Sequence, residues 1–355
     1  MNGRIARGAA LTVVGALLVS ACTSGASPGA TSPVPASGSI QPASDSPTTE
    51  PTPSEEMSFA VAFTGLGFSD APMFAAIDAL RSQGYTIDTP EVADPNLMIA
   101  GTAEGQFQFS SGDTAALLRA INQGAKLKII GERVGDEWTL GTVADISRCE
   151  EMEGRTVAYH AVGSFNEVIV RAYIRENCPG TMPQEVIIEG SENRAAAMLA
   201  DRLDSSPLEL SDAVNILDKG GDKFRILTSF NETLPNLRPA TLAGNVDFME
   251  QNPNTTRALL KAMLDVNRRI NEEEGYLKEV ALEYVPSLDE TILDEVVEQY
   301  IEFNLFDSNG GVTESNINYT VQFFAQAGSI PLGLSVDQAA DLSYLNEVLD
   351  EIGRR

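Results

Sequence analysis

One histidine, three cysteines and one tryptophan in 355 residues are a thin supply of the side chains that most often do chemistry. His160 has no second histidine beside which to hold a metal, and no Cys-x-x-Cys pair occurs, so zinc has too few ligands. No Gly-x-Ser-x-Gly elbow opens a helix of the folded part, which removes the usual frame of a histidine-activated serine. Basic residues are also scarce: 24 Lys and Arg face 51 Asp and Glu, a formal charge of −27. That balance repels nucleic acid and anionic membrane surfaces, and composition shows no positive funnel for phosphates. There is no internal repeat beyond a shared strand-helix rhythm.

What is present begins at the N-terminus. Arg4 and Arg7 precede an apolar run from Ala9 to Val19, and small residues follow before Cys22. The run is too short to span a bilayer and has the layout of a secretory signal. Val19-Ser20-Ala21-Cys22 resembles the bacterial lipobox, which implies cleavage before Cys22 and lipidation of its thiol. An ordinary signal peptide is the alternative. From Thr23 to Glu56 the chain is Ser, Pro, Thr, Gly and Ala with almost no large apolar residue, so it cannot bury enough surface to order itself. The expectation is a signal over 1–21 and a lipid-anchored, disordered tether over 22–56, placing the protein on the outer face of the cytoplasmic membrane. With Cys22 lipidated, Cys149 and Cys178 remain, and an even pair in an exported protein reads first as a disulfide.

Beyond residue 57 strands and helices alternate. "MSFAVAF", "KLKIIG", "RTVAYH", "QEVIIEG" and "PLELS" read as strands. "SDAPMFAAIDALRSQG" is amphipathic, with Ser69 or Asp70 as N-cap and Gly84 as the stop. "SGDTAALLRAINQGA", capped at Ser111 or Asp113, and "SENRAAAMLADRL" are further helices, and another follows Gly163. This alternation predicts α/β architecture with parallel sheets, whose ligands bind at the carboxyl ends of strands. From Phe248 onward the chain is mainly helical, and the acidic cluster from Glu272 to Glu302 reads as solvated helix faces.

Taken in order, "GYTIDTPEV", "GQFQFSSGDTAALLRAINQGAKLKIIG", "DISRCEEMEGRTVAYHAVGSFNEVIVRAYI" and "DRLDSSPLEL" resemble the substrate-binding lipoproteins of ABC importers. The class is that of nitrate, sulfonate and taurine, with pyrimidine- and vitamin-binding relatives. Gly105-Gln106-Phe107 departs from the acidic segment usual there, and Glu153-Gly154-Arg155 stands where the family has a Lys-Gly-Lys. The resemblance covers residues 58–345. It implies a two-lobed periplasmic-binding-protein-like fold, each lobe a mixed, mainly parallel sheet flanked by helices, joined by two crossover strands. Lobe 1 is then expected over 58–143 plus 244–355, and lobe 2 over 144–243. The function implied is capture of a small organic solute, sulfonate- or taurine-like or a pyrimidine- or flavin-type vitamin. A monomer would deliver it to a membrane permease, without cofactor and without catalysis. The cysteine-rich motif of the pyrimidine-synthesising relatives is missing here. The alternatives are an extracytoplasmic enzyme of the same fold and a sensor or scaffold lipoprotein.

Helix N-termini expose unpaired N–H groups and partial positive charge, so they hold anions or carbonyl and sulfonyl oxygens. Two are candidates: Ser110, Ser111, Gly112, Asp113 and Thr114 in lobe 1, and Gly163, Ser164 and Phe165 in lobe 2. Plain N-caps are the competing reading. Further candidates are Phe63, Gly65 and Phe68 at the start of the first helix, Ser205 and Ser206 near the end of lobe 2, and Trp138 and Tyr159 as aromatic walls. Glu132, Asp136 and Glu137 beside Trp138 read as loop surface; facing a cleft, they would disfavour a bare anion. His160, at a strand end, reads mainly as structural, with ligand contact a lesser possibility and no partner for catalysis.

Overall fold

Small and apolar residues in Ser58–Phe63 form a strand, β1, after which strands and helices mostly alternate as far as β10. The computed structural model describes residues 55–355, so the leader, Cys22 and the tether up to residue 54 lie outside the described residues. Glu55 and Glu56, expected to belong to the tether, are instead fastened to the start of a long helix. The Glu55 carboxylate accepts from Thr255 N at 2.8 Å and from Asn254 Nδ2 at 2.6 Å, and Glu56 N donates to Asn252 Oδ1 at 2.7 Å. A carboxylate at a helix N-terminus satisfies otherwise orphaned N–H groups.

After β1 come α1 (Ala71–Arg81), β2 (Thr86–Asp88), α2 (Pro95–Ala103), β3 (Phe109–Asp113), α3 (Thr114–Asn122) and β4 (Leu127–Val134). The second group is β5 (Trp138–Val143), β6 (Thr156–Tyr159), α4 (Phe165–Asn177), β7 (Gln184–Ile187), α5 (Ser191–Leu199), β8 (Ser205–Glu209), α6 (Leu210–Gly220), β9 (Phe224–Ser229) and α7 (Phe230–Thr233). The chain then returns through β10 (Ala240–Asn245) to α8 (Val246–Gln251), α9 (Pro253–Glu272), α10 (Tyr276–Tyr284), α11 (Leu293–Glu302), α12 (Glu314–Gln326), α13 (Val336–Ala339) and α14 (Ser343–Ile352).

Two five-stranded sheets result, ordered β2-β1-β3-β10-β4 and β7-β6-β8-β5-β9. In the first, β1 runs parallel to β2 and β3 while β10 is antiparallel to both its neighbours. In the second, β6 runs parallel to β7 and β8 while β5 is antiparallel to β8 and β9. The one reversed strand in each sheet is therefore the strand that arrives from the other lobe. This is the mixed, mainly parallel two-lobed α/β architecture expected from the sequence.

Strand pairing puts both crossings earlier than 143/144 and 243/244. Trp138–Val143 pairs inside the second sheet and Ala240–Asn245 inside the first, so the chain crosses at 135–137 and again at 234–239. Alternating strands and helices carry no mark of which sheet a strand joins. Only the long-range pairing of β5 with β8 and of β10 with β3 decides it.

The helices bury apolar stripes against these sheets. On α9 the stripe is Leu259, Leu260, Met263, Leu264 and Ile270, packed against α1 and α14. Each such side chain is worth roughly 1.5–3 kcal/mol when withdrawn from water. On α4, Phe165, Ile169 and Ala172 are buried and Val168 and Tyr173 half-buried, as the helical spacing predicts. Cys149 and Cys178 are joined, with Cα atoms 5.7 Å apart, so the C-terminus of α4 is clamped to the turn before β6.

Candidate functional site

The carboxyl ends of β1, β3, β6 and β8 face one another across a cavity of about 400 Å³ between the two sheets. Parallel strands place loops and helix N-termini there, and sites of this size hold small organic molecules. Its walls are Thr64–Gly67 after β1, Gly112 and Asp113 at the end of β3, His160 after β6, the Glu189–Arg194 segment entering α5, and Glu209 ending β8. Trp138 and Phe165 supply aromatic surface, with ring centroids 6.1 Å apart.

The charge of this cavity differs from a plain helix-terminus anion site. Six carboxylates line it (Asp70, Glu91, Asp113, Glu189, Glu192 and Glu209) against two guanidiniums, Arg133 and Arg194, and one imidazole. Arg133 is held internally through its terminal nitrogens: it donates to Ser69 Oγ at 2.7 Å and to Asp70 Oδ1 at 2.8 Å, and lies 3.4 Å from Glu137 Oε1, while its Nε has no acceptor among the described residues. Glu137 in turn accepts from the Tyr300 hydroxyl. Burial pushes the carboxyls of Glu137 and Glu209 upward, with Arg133 pulling the other way.

Arg194 is different. It is fully buried; Nε donates to Ser206 Oγ at 3.0 Å and to Pro207 O at 3.2 Å, and Nη1 to Ile188 O at 3.2 Å. Among the described residues its Nη2 has no partner, and the guanidinium carbon lies 5.8 Å from the centre of the Trp138 ring. Burial pulls its pKa down to about 10, opposed first by Glu209 and then by Asp212 and Glu192. A buried donor without an acceptor carries a desolvation cost of about 1–3 kcal/mol until an acceptor reaches it.

Asp113 is the N-cap of α3, its Oδ1 accepting from Ala116 N at 2.8 Å. Its Oδ2 reaches across the cavity and accepts from Phe165 N, the first residue of α4, at 2.7 Å. Burial raises its pKa, while the two backbone N–H groups, Arg119 and His160 act to lower it. His160 is also engaged at both ring nitrogens: Gly190 N donates to Nδ1 at 3.1 Å, and Nε2 lies 2.8 Å from Ala93 O. Nε2 therefore carries the ring hydrogen, and the imidazole holds backbone of both lobes together.

Of the residues singled out from sequence, Gly65, Gly112, Asp113, Trp138 and Phe165 line the cavity. The rest are placed elsewhere. Ser110 and Ser111 are not at a helix start but buried inside β3, because the strand runs on to Asp113 and only there does α3 begin. Thr114 is buried with its hydroxyl 3.1 Å from that of Thr241. Phe63 packs on Phe74 and Phe68 on Tyr300, with centroids 4.7 and 4.6 Å apart, which makes both core. Tyr159 is fully buried in β6. Gly163 and Ser164 precede α4 but meet lobe 1 and their own turn: Gly163 O accepts from Arg119 Nη1, and Ser164 Oγ donates to Ala161 O at 2.7 Å. Ser205 and Ser206 are buried in β8, where Ser206 steadies Arg194.

Glu132, Asp136 and Glu137 are buried, not loop surface. They sit where the chain crosses between sheets, and their partners come from distant segments. Arg238 Nε lies 3.1 Å from Glu132 Oε1, yet its hydrogen is directed at Gly311 O, 2.9 Å away. Glu132 Oε1 so gains a neighbouring charge but no hydrogen bond, and Asp136 Oδ2 has none either. Burial raises both carboxyls to about 8.

Among the described residues no group of three or more His, Cys, Asp or Glu is placed to hold a metal ion, and no helix is long and apolar enough to cross a membrane.

The family described as NMT1/THI5-like matches residues 80–266, more than half of the chain and both crossings. The chain belongs to that family. Solved structures agree with it in fold. The periplasmic nitrate-binding protein NrtA from Synechocystis PCC 6803 superposes with a TM-score of 0.70 at 11% identity, covering 84% of this chain and 90% of that one. The alkanesulfonate-binding protein SsuA from Xanthomonas axonopodis pv. citri, bound to MOPS, gives 0.65 at 12% over 81% and 99%. The aliphatic sulphonate binding protein SsuA from Escherichia coli gives 0.62 at 14% over 81% and 92%. At such identities the likeness is one of fold, and it agrees with the two-lobed fold expected from the sequence. No curated protein sequence matches the chain.

Proposed function

We propose that this NMT1/THI5-like protein is the extracytoplasmic solute-binding component of an ABC importer, not an enzyme. Its solute would be a small organic molecule held between the two lobes. Lipidation at Cys22 and the tether would keep it at the outer membrane face, within reach of a permease. The observation that carries the reading is Arg194: a fully buried guanidinium in the wall of the cavity, beside the molecule's one tryptophan, with one nitrogen left without an acceptor among the described residues. Such a donor calls for a carbonyl oxygen or ring nitrogen from outside the chain, and Trp138 offers that ring a face to stack on.

The six carboxylates of the cavity favour a solute that brings N–H donors or positive charge. Between the two solute types implied by the family, a nitrogen heterocycle of the pyrimidine or flavin type suits this wall better than a sulfonate. Binding by donors, acceptors and stacking needs no reacting group, and both nitrogens of His160 are already engaged.

Mass spectrometry of small molecules released from protein purified without denaturation tests this reading. An aromatic nitrogen heterocycle at near-equal ratio to protein is expected. Consistent release of an inorganic anion or a plain sulfonate would contradict the solute class. Protein that never carries or gains a small molecule would contradict the binding function.

A further inference from the structure

We propose that Asp113 is a built-in anion that occupies the ligand-facing end of α4, latching the lobes together and excluding solutes whose only recognition group is an oxyanion. The inference rests on the solute-binding reading above for its second half, but not for its first. Helix α4 has thirteen residues and an N-cap, Ser164, whose side chain makes no cap hydrogen bond. Its first free N–H is therefore left for something else, and the group that takes it is a carboxylate from the other lobe. The same carboxylate caps α3 with its second oxygen. One anion thus bridges two helix N-termini, each with partial positive charge, from opposite sides of the cavity.

A nitrate or sulfonate entering here would meet an N–H already filled, beside a buried negative charge. It would have to displace a carboxylate whose covalent attachment gives it a high effective concentration, so a free anion competes at a disadvantage. The surrounding groups act in the same direction. Arg119, one α-helical turn and a half along α3, donates to Gly163 O in lobe 2 and to Asn96 Oδ1 at 2.8 Å in lobe 1, so it is not free to pair with an incoming anion. Arg133 is held by Asp70 and Ser69. Of the two guanidiniums lining the cavity, Arg133 leaves Nε and Arg194 leaves Nη2 without an acceptor among the described residues, and Arg194 stands at the Trp138 end. With His160 bridging to Ala93 O, three polar ties around the cavity (Asp113, Arg119 and His160), together with the more exposed Lys219–Asp289 ion pair at 3.2 Å, join the lobes without any solute.

The test compares the full chain with Asp113→Ser and Asp113→Asn. Serine keeps the cap on α3 but is too short to reach Phe165, and asparagine keeps the shape with one acceptor where two are needed. Circular dichroism verifies that each variant is folded. Small-angle scattering of the solute-free proteins reads the latch: both variants should show a larger radius of gyration than the parent. An unchanged radius in both overturns the latch, whatever the protein binds. Titration with methanesulfonate, followed by calorimetry, reads the exclusion: the parent should bind weakly and Asp113→Ser about tenfold more tightly, equivalent to about 1.4 kcal/mol, within the range of a helix-terminus charge interaction. Equal affinity in parent and variant overturns the exclusion. If no solute of any class binds the parent while the radius still grows, the solute-binding reading fails and the latch stands.

Discussion

At the residue scale, the buried carboxylates at the crossings set a pH dependence that an acidic surface alone would not. Glu132 and Asp136 are raised from 4.5 and 3.8 to about 8 by burial. A folded-state pKa above the unfolded one means that the folded chain keeps protons the unfolded chain has released. Below about pH 4 both states are protonated and nothing is lost. Between there and about pH 8 each unit of pH removes stability, on the order of a few kcal/mol in all. Glu132→Gln should therefore be clearly more stable than the parent at pH 8 and no more stable at pH 4. Guanidinium melts at the two pH values check this; a constant difference between them would contradict it. These same residues show why sequence reading failed here. "GERVGDEW" looks like a polar loop because Arg238 and Tyr300, which surround the acids, arrive from remote parts of the chain, Tyr300 from 163 positions away. Arg194 went unnoticed too, but here a signal was present in the sequence. It stands with Ser191, Ala195 and Met198 on the buried stripe of an amphipathic helix, and an arginine on that stripe is a signal.

At the element scale, local chemistry fixed more than its reader could use. Asp113 is recognisable as an N-cap from "SGDTAALL", and Phe165 as the start of a helix after Gly-Ser. That the two are joined is a fact of topology: β3 and β6 point their carboxyl ends at one cavity only once two sheets have formed. The serines before Asp113 were misplaced for a related reason. A strand of small residues such as "FSSGD" has the composition of a loop, and it is held as strand by β1 on one side and β10 on the other. The Cys149–Cys178 clamp acts on the element it ends. A loop with a sequence separation of 29 gives a chain-entropy stabilisation of about 3–4 kcal/mol. Reduction should lower the free energy of unfolding by that order and loosen α4 first, seen as faster amide exchange along Phe165–Asn177. Equal stability with and without reductant would mean that the clamp does not operate.

For the whole molecule, the two lobes, the reversed strand in each sheet and the cavity between them agree with the class that the sequence resembles. The partition of charge across that cavity separates this chain from a simple anion binder. A surplus of acid disfavours self-association, and in the proposed binding role the carboxylates of the cleft would turn selection toward solutes that bring donors of their own. Arg194 and Trp138 place an unpaired donor and an aromatic face side by side on the wall of the cavity. Because Trp138 is the one tryptophan of the chain, its fluorescence reports on that point alone. The most direct measurement is a fluorescence titration of the parent and of Arg194→Met with an aminopyrimidine, a flavin, taurine, methanesulfonate and nitrate. A heterocycle should change the Trp138 signal saturably, and Arg194→Met should weaken that binding by roughly 10- to 100-fold, as the loss of a charge-assisted hydrogen bond of about 1.5–3 kcal/mol requires. Saturable binding of nitrate or methanesulfonate in preference to every heterocycle, or affinity untouched by Arg194→Met, would contradict it.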